Sequence, residues 1–305
     1  MVPALQVSGL SKVYGNGFQA LKGIDLEVQQ GDFFALLGPN GAGKSTTLGI
    51  VSGLIQKSAG QASIMGFDVN REAFSAKRHL GVVPQEFNFN QFEKVRDIVV
   101  TQAGFFGLTA ADAAEHADYL LKALDLWDKR DTQARMLSGG MKRRLMIARA
   151  LVHKPKVLIL DEPTAGVDIE LRRSMWAFMQ ELNEQGTTII LTTHYLEEAE
   201  QLCRNIAIIN QGEIVKATST RELLSQLTTE TFVLDLSASC PADLQLEGYE
   251  LNMASGDCLE ITVEKGQSLN AIFQQLTQAG VEVRSMRTKS NRLEELFVNL
   301  VQESE

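Results

Sequence analysis

Short runs of uninterrupted apolar residues, each bounded by polar turn formers, set the rhythm of the first two-thirds of the chain. Phe33 to Leu37, Val157 to Leu160 and Thr188 to Leu191 are too short for typical helices and do not alternate. That is the pattern of parallel strands buried on both faces, and a helix is predicted after each. Val2 to Val7 and Ile24 to Val28 are predicted as strands of a small antiparallel layer. Between Glu93 and Met136 the pattern turns helical, with strong helix formers from Ala110 to Leu126, which predicts a helical insertion of about residues 86–150 that moves semi-independently. Two apolar runs around Gln211-Gly212, from Ile206 to Ala217, predict a hairpin that closes a first domain of residues 1–228.

From Thr231 onward the character changes. Strands are predicted at Thr231 to Leu236, Tyr249 to Met253, Leu259 to Val263 and Val281 to Met286, with a turn at Ser255-Gly256-Asp257. One helix carries Leu269, Ile272, Phe273 and Leu276, and a second carries Leu293, Leu296, Phe297 and Leu300, each at the spacing of a single buried stripe. These side chains read as core, and residues 229–305 as a small α+β domain. No fixed-period repeat or low-complexity tract interrupts the chain.

Composition changes this picture little. The 305 residues are 44% hydrophobic and 22% charged, as in ordinary globular proteins. No run approaches the roughly 18 apolar residues of a spanning helix, and Met1 to Gly17 lacks the apolar block of a secretory signal, so a cytoplasmic chain that does not cross a bilayer alone is expected. Cys203, Cys240 and Cys258 have no metal-ligand spacing and are expected as reduced thiols. The formal net charge of -9 repels phosphate backbones, which makes nucleic acid a poor partner.

Chemistry is concentrated in Gly38-Pro39-Asn40-Gly41-Ala42-Gly43-Lys44-Ser45, directly after the strand Phe33 to Leu37 and at the start of a helix holding Leu48, Val51 and Ile55. This is a P-loop pattern. Glycines let successive N–H groups turn inward around phosphates, and the helix N-terminus adds its positive end. Lys44 reaches the terminal phosphates, Ser45 offers a hydroxyl to magnesium, and Thr46 joins the nucleotide contacts. At the end of another apolar strand, Asp161 is placed to hold the metal, directly or from its outer coordination sphere, and Glu162 to polarise the attacking water as general base. An acidic pair after a strand, taken alone, is more often a helix N-cap; the P-loop reverses that preference.

The run Leu137-Ser138-Gly139-Gly140-Met141, about twenty residues before Asp161, resembles the signature of the ABC (ATP-binding cassette) ATPases. The resemblance extends from about Leu5 to Leu227. Tyr14 is similar to the aromatic that stacks on adenine, Gln85 to the Q-loop glutamine that can also reach magnesium, Ala165 to Asp168 to the D-loop, and His194 to the switch histidine. It implies an α/β fold: a P-loop NTPase (RecA-like) core with an N-terminal antiparallel β layer and a helical insertion, followed by the small C-terminal α+β domain. It also implies ATP and Mg2+ as cofactors, and two subunits packed head to tail, each signature covering the partner's nucleotide. His194 would contact the γ-phosphate and support Glu162, and Gln85 would link metal or water to an integral membrane permease. Met141 stands where the family more often has glutamine; Ser138, Gly139 and Gly140 keep the phosphate-sensing groups.

Arg292-Leu293-Glu294-Glu295-Leu296-Phe297 resembles the extension of ABC-2 type exporter ATPases. The implied protein is an exporter ATPase, a homodimer or one half of a pair with a related ATPase, held at the cytoplasmic face of the plasma membrane through its permease. An importer ATPase shares the same mechanism. ABC ATPases of translation or DNA maintenance typically carry two cassettes or a long coiled coil, which this chain lacks, and a nucleotide-binding regulator would bind ATP without turnover.

Overall fold

A computed structural model describes residues 2–226, 229–238, 240–241, 244–255, 257–264, 266–289, 293 and 296–297. Its contacts divide the chain between Ser219 and Thr220.

The first unit begins with β1 (Leu5–Val13), β2 (Gln19–Val28), β3 (Phe33–Leu37) and α1 (Lys44–Val51). It continues with β4 (Ala59–Ile64), β5 (Phe67–Asp68), α2 (Ala73–Arg78) and β6 (Leu80–Val83). Three helices follow: α3 (Val95–Gly104), α4 (Ala110–Ala123) and α5 (Gly139–Leu151). The unit closes with β7 (Val157–Asp161), α6 (Ile169–Glu184), β8 (Thr188–Thr192), α7 (Leu196–Leu202), β9 (Asn205–Asn210) and β10 (Glu213–Ser219).

Two sheets form. One is antiparallel, in the order β2-β1-β4-β5; the other has the order β10-β9-β3-β8-β7-β6. In the second, β9, β3, β8, β7 and β6 run parallel and only β10 is antiparallel. The predicted apolar runs supply its centre, every residue of β3 and β8 being buried. One apolar cluster joins the two sheets: Leu5, Val7 and Leu26 from the antiparallel layer meet Phe34, Leu36, Ile159 and Ile190 from the parallel one, with Leu48, Ile50 and Val51 of α1 among them. Each such side chain contributes about 1.5–3 kcal/mol by leaving water.

Several boundaries differ from the sequence expectation. The first strand starts at Leu5 and runs on to Val13, turning through Gly9 at φ 56°, where its pairing with β2 shifts register. The second begins at Gln19, five residues before Ile24. The hairpin β9–β10 does turn at Gln211-Gly212, with φ 46° and 83°, the doubly left-handed pair that a two-residue hairpin turn needs.

The helical insertion is a bundle in which α3, α4 and α5 pack on one another and α5 also packs on β6. A capping box starts α4, Thr109 Oγ1 accepting from Asp112 N at 3.2 Å, an arrangement worth about 0.5–2 kcal/mol. A salt bridge of 2.7 Å between Arg96 and Asp118 ties α3 to α4.

The second unit contains α8 (Thr220–Ser225), β11 (Thr229–Leu236), β12 (Glu250–Ser255), β13 (Cys258–Glu264), α9 (Leu269–Gln278) and β14 (Val283–Thr288). Its antiparallel sheet has the order β12-β13-β11-β14. Leu234, Leu236, Leu259 and Ile261 meet Ile272 and Leu276 of α9, the stripe the sequence placed there. Of the second predicted helix, Leu293 and Leu296 are buried, while Leu300 lies outside the described residues. The turn residue Gly256 lies outside them too. Cys203, Cys240 and Cys258 form no disulfide among the described residues, and burial pushes Cys203 and Cys240 upward in pKa.

Candidate active site

The loop between β3 and α1 follows from steric necessity. A Cβ on Gly38 would stand 2.2 Å from the Ile209 carbonyl oxygen, and Gly43 adopts φ 116° against Leu21 and Ala20. The loop is also fastened to the neighbouring hairpin, Gly212 N donating to Ala42 O at 2.9 Å. These constraints hold the chain in a tight turn whose end is the N-terminus of α1, a ready anion site.

Lys44 is 8% exposed, and its Nζ donates to Gly38 O at 2.6 Å and Pro39 O at 3.0 Å. Burial pushes its pKa down, and the charges of Glu162 and Asp161 push back. An ammonium held dry beside an N–H-lined turn gains from a phosphate, which supplies the counter-charge that two carbonyl dipoles only approximate. Ser45, next in α1, is exposed, and Tyr14 Oη lies 3.3 Å from Thr46 Oγ1, which sets the predicted aromatic beside the start of the same helix.

Asp161 and Glu162 end β7. In the parallel register Asp161 is opposite Thr192 of β8, and the Thr192 hydroxyl donates to its carboxylate. Glu162 N donates to Thr192 O at 3.0 Å, and Glu162 takes the left-handed conformation at φ 49°, unusual for a residue with a side chain. Gln85 Nε2 donates to Glu162 Oε2 at 3.0 Å, and His194 Nδ1 stands 3.4 Å from Glu162 Oε1. Three residues that the sequence named from separate segments thus meet at one carboxylate.

The donor set suits magnesium. Asp161 carboxylate, Ser45 hydroxyl and the Gln85 amide oxygen are hard oxygen ligands, and among the described residues no cluster of three or more His, Cys, Asp or Glu side chains competes as a metal cage. Few protein ligands with phosphate and water completing the shell is the usual manner of Mg2+.

The signature sits elsewhere in the unit. Ser138 is the N-cap of α5, its Oγ accepting from Met141 N at 3.2 Å, and a Cβ on Gly139 would meet no atom within 4 Å. Leu137 is buried and anchors the turn. A Cβ on Gly140 would stand 2.2 Å from Leu171 Cδ2 at the start of α6. Asp168 caps α6, accepting from Leu171 N at 2.8 Å. No described hydrogen bond or ion pair joins the signature to the P-loop of the same chain.

Sequence reasoning missed Arg143. It is 5% exposed, and its guanidinium donates to Pro84 O at 2.9 Å and Gln85 O at 2.8 Å, fixing the segment that presents Gln85. Burial lowers its pKa, and Asp161 and Glu162 raise it. A signal existed: Arg143, Met146, Ile147 and Ala150 form a buried stripe at helical spacing, where a charge is out of place unless it is partnered.

Comparison with known proteins gives the family. Residues 21–165 match the family described as ABC transporter. The linearmycin resistance ATP-binding protein LnrL of Bacillus subtilis is 33% identical, over 97% of this chain and 97% of its own length. The Nod factor export ATP-binding protein I of Burkholderia thailandensis is 39% identical over 91% and 90% of the two. Among solved structures, an ATP-binding subunit of an ABC transporter superposes with a TM-score of 0.68 at 28% identity, over 73% of this chain and 92% of that one. A dimeric cassette in a post-hydrolysis state, bound to ADP and Pi, gives 0.66 at 26% identity, over 71% and 99%. Cassettes of this kind bind and hydrolyse ATP, dimerise and work with membrane permeases. The chain belongs to the ABC transporter family, as an ATP-binding subunit.

Proposed function

We propose that this subunit powers export through a separate membrane permease, by closing on a second ATPase subunit around two ATP molecules. The observation that carries the chemistry is the meeting of Gln85 and His194 on the Glu162 carboxylate, next to the Asp161–Thr192 pair. Glu162 acts as general base on the attacking water, and His194 holds it and senses the γ-phosphate. Lys44 and the loop N–H groups of Asn40 to Ser45 bind the phosphates, and Thr46 and Tyr14 flank the nucleotide at the start of α1. Magnesium, when bound, neutralises charge on the β- and γ-phosphates; Ser45, Asp161 and Gln85 would hold it.

The Ser138-Gly139-Gly140 edge offers a hydroxyl and, at Gly139, open backbone at a helix N-terminus. It serves the nucleotide of the partner subunit, and the Met141 N–H holds the Ser138 hydroxyl in place from within α5. Export is supported by the names of two relatives, a Nod factor export protein and a drug resistance protein. No described helix is long and apolar enough to cross a membrane, so a permease supplies the path. Its docking place is a cavity of about 200 Å³ lined by Leu54, Pro84, Asn88, Phe106 and Met146, next to the Gln85 segment. Through that segment, movement at the nucleotide reaches the permease, and the subunit is held at the cytoplasmic face of the membrane.

Glu162→Gln tests this reading. The variant keeps the hydrogen-bonding shape but cannot accept the water's proton, so turnover should fall about 10²–10⁴-fold while ATP binding stays. ATP-loaded variant should also elute as a dimer on size exclusion. Turnover at the parental rate overturns the general-base assignment.

A further inference from the structure

Glu198 is 0% exposed, in α7, four residues after His194. One of its oxygens, Oε1, accepts from Thr164 Oγ1 at 2.9 Å and from Trp176 Nε1 at 2.8 Å. Thr164, also 0% exposed, follows Glu162 by two residues, inside the turn that Ala165 N closes on Glu162 O at 3.2 Å. Trp176 belongs to α6, the helix that Asp168 starts. A single buried carboxylate oxygen therefore bonds the turn after Glu162 to α6 from within the helix that follows His194.

Packing alone does not require an acid here. Burial pushes the Glu198 carboxyl upward, and hydrogen bonds from Thr193, Trp176 and Thr164 oppose that. An apolar side chain of similar volume would fill the space without such a desolvation cost. What the acid supplies is a geometric link. Glu162 and His194 sit on separate loops, and their 3.4 Å approach depends on how those loops are held. Glu162 also has φ 49°, a conformation that persists in a residue with a side chain only where the surroundings fix it. The Tyr195 N to Thr193 Oγ1 bond of 2.9 Å shapes the His194 loop from within, and Glu198 N donates to Tyr195 O at 3.0 Å.

We propose that Glu198 is a positioning residue for ATP hydrolysis, tying the Glu162 turn to the His194 loop so that the two side chains meet. The proposal rests on the reading of Glu162 as the base. Gln keeps the acceptor oxygen, whereas Ala removes it and Thr164→Val removes the donor on the Glu162 side.

With the full-length protein, Glu198→Ala and Thr164→Val should lower kcat about tenfold to a hundredfold, as expected when reacting groups shift by around an ångström. Nucleotide Kd and KM should stay within about twofold, and Glu198→Gln should restore kcat. Met179→Ala opens a cavity along α6, at a residue 0% exposed, and sets the stability control: its Tm should fall with kcat kept. The proposal is overturned if Glu198→Gln is as slow as Glu198→Ala, if Met179→Ala loses kcat in step with Tm, or if both Glu198→Ala and Thr164→Val turn over at the parental rate. Glu162→Gln in the same assay separates the two ideas: retained turnover there sinks the base assignment, whereas a dead Glu162→Gln beside a fully active Glu198→Ala sinks only the role of Glu198.

Discussion

Gly38 and Gly41 lie in one loop yet are glycine for different reasons. A methyl on Gly38 would press on backbone, the Ile209 carbonyl oxygen 2.2 Å away, so either the loop or β9 must move. Gly38→Ala is expected to cost about 1–3 kcal/mol of stability by overpacking and to weaken ATP binding about tenfold, read by urea unfolding and nucleotide titration. Gly41 has φ 81° and open space around it, so Gly41→Ala meets only the backbone strain of about 1–2 kcal/mol. If Gly38→Ala binds ATP normally, the loop is not held by β9. Such glycines were readable because phosphate binding demands a residue type at fixed spacing. Gln85, Glu162 and His194 were readable only as an ordered set. Arg143, Thr164 and Glu198 were not, because their partners lie far off in sequence: Arg143 bonds to residues 58 and 59 positions away. Burial gives such ordinary residue types their meaning, and a linear pattern shows burial only through periodicity.

At the scale of elements, the apolar runs that became β3, β7 and β8 were evident because a strand buried on both faces tolerates little else. The strands β4 and β6 were not. β4 reads Ala-Gly-Gln-Ala-Ser-Ile and buries only Ala62 and Ile64 fully; β6 has four residues including Gly81. A Cβ on Gly81 would stand 2.5 Å from the Ala150 carbonyl, so the close approach of α5 selects the residue that weakens the strand signal. The same junction carries a titration. His153, just past α5, stacks on Phe106 with centroids 3.6 Å apart, and its Nε2 donates to Leu80 O at 3.1 Å. Burial lowers its pKa to about 4. The unfolded chain takes up a proton near pH 6.5, so this contribution to stability is fully present above about that pH and is lost as pH falls toward 4. With allowance for a partly exposed ring the loss is roughly 2 kcal/mol. Urea unfolding at pH 7 and pH 4.5 should show a smaller pH dependence for His153→Phe than for the parent; equal dependence would mean that the ring titrates normally.

For the molecule as a whole, every residue assigned to nucleotide chemistry, from Tyr14 to Glu198, lies within Met1–Ser219. The second unit has an apolar cluster of its own, with Leu234, Leu259, Ile261 and Leu276, which shares no residue with the cluster joining the two sheets of the first. A ligand stabilises only the structure that must unfold for it to be released. At a hundredfold excess over its Kd, a nucleotide adds about 2.7 kcal/mol, which for a unit of this size raises Tm by roughly 5–10 °C. Scanning calorimetry with ADP, which the subunit cannot consume, should therefore move one transition upward and leave a smaller one in place. ADP and magnesium added to Gly38→Ala should move that transition less, because the shift reports affinity at the P-loop. Were the whole chain to melt in one step that ADP displaces intact, the two cores would be thermodynamically one. Nucleotide bound at the P-loop would then stabilise the C-terminal unit as well, which two independent cores do not allow.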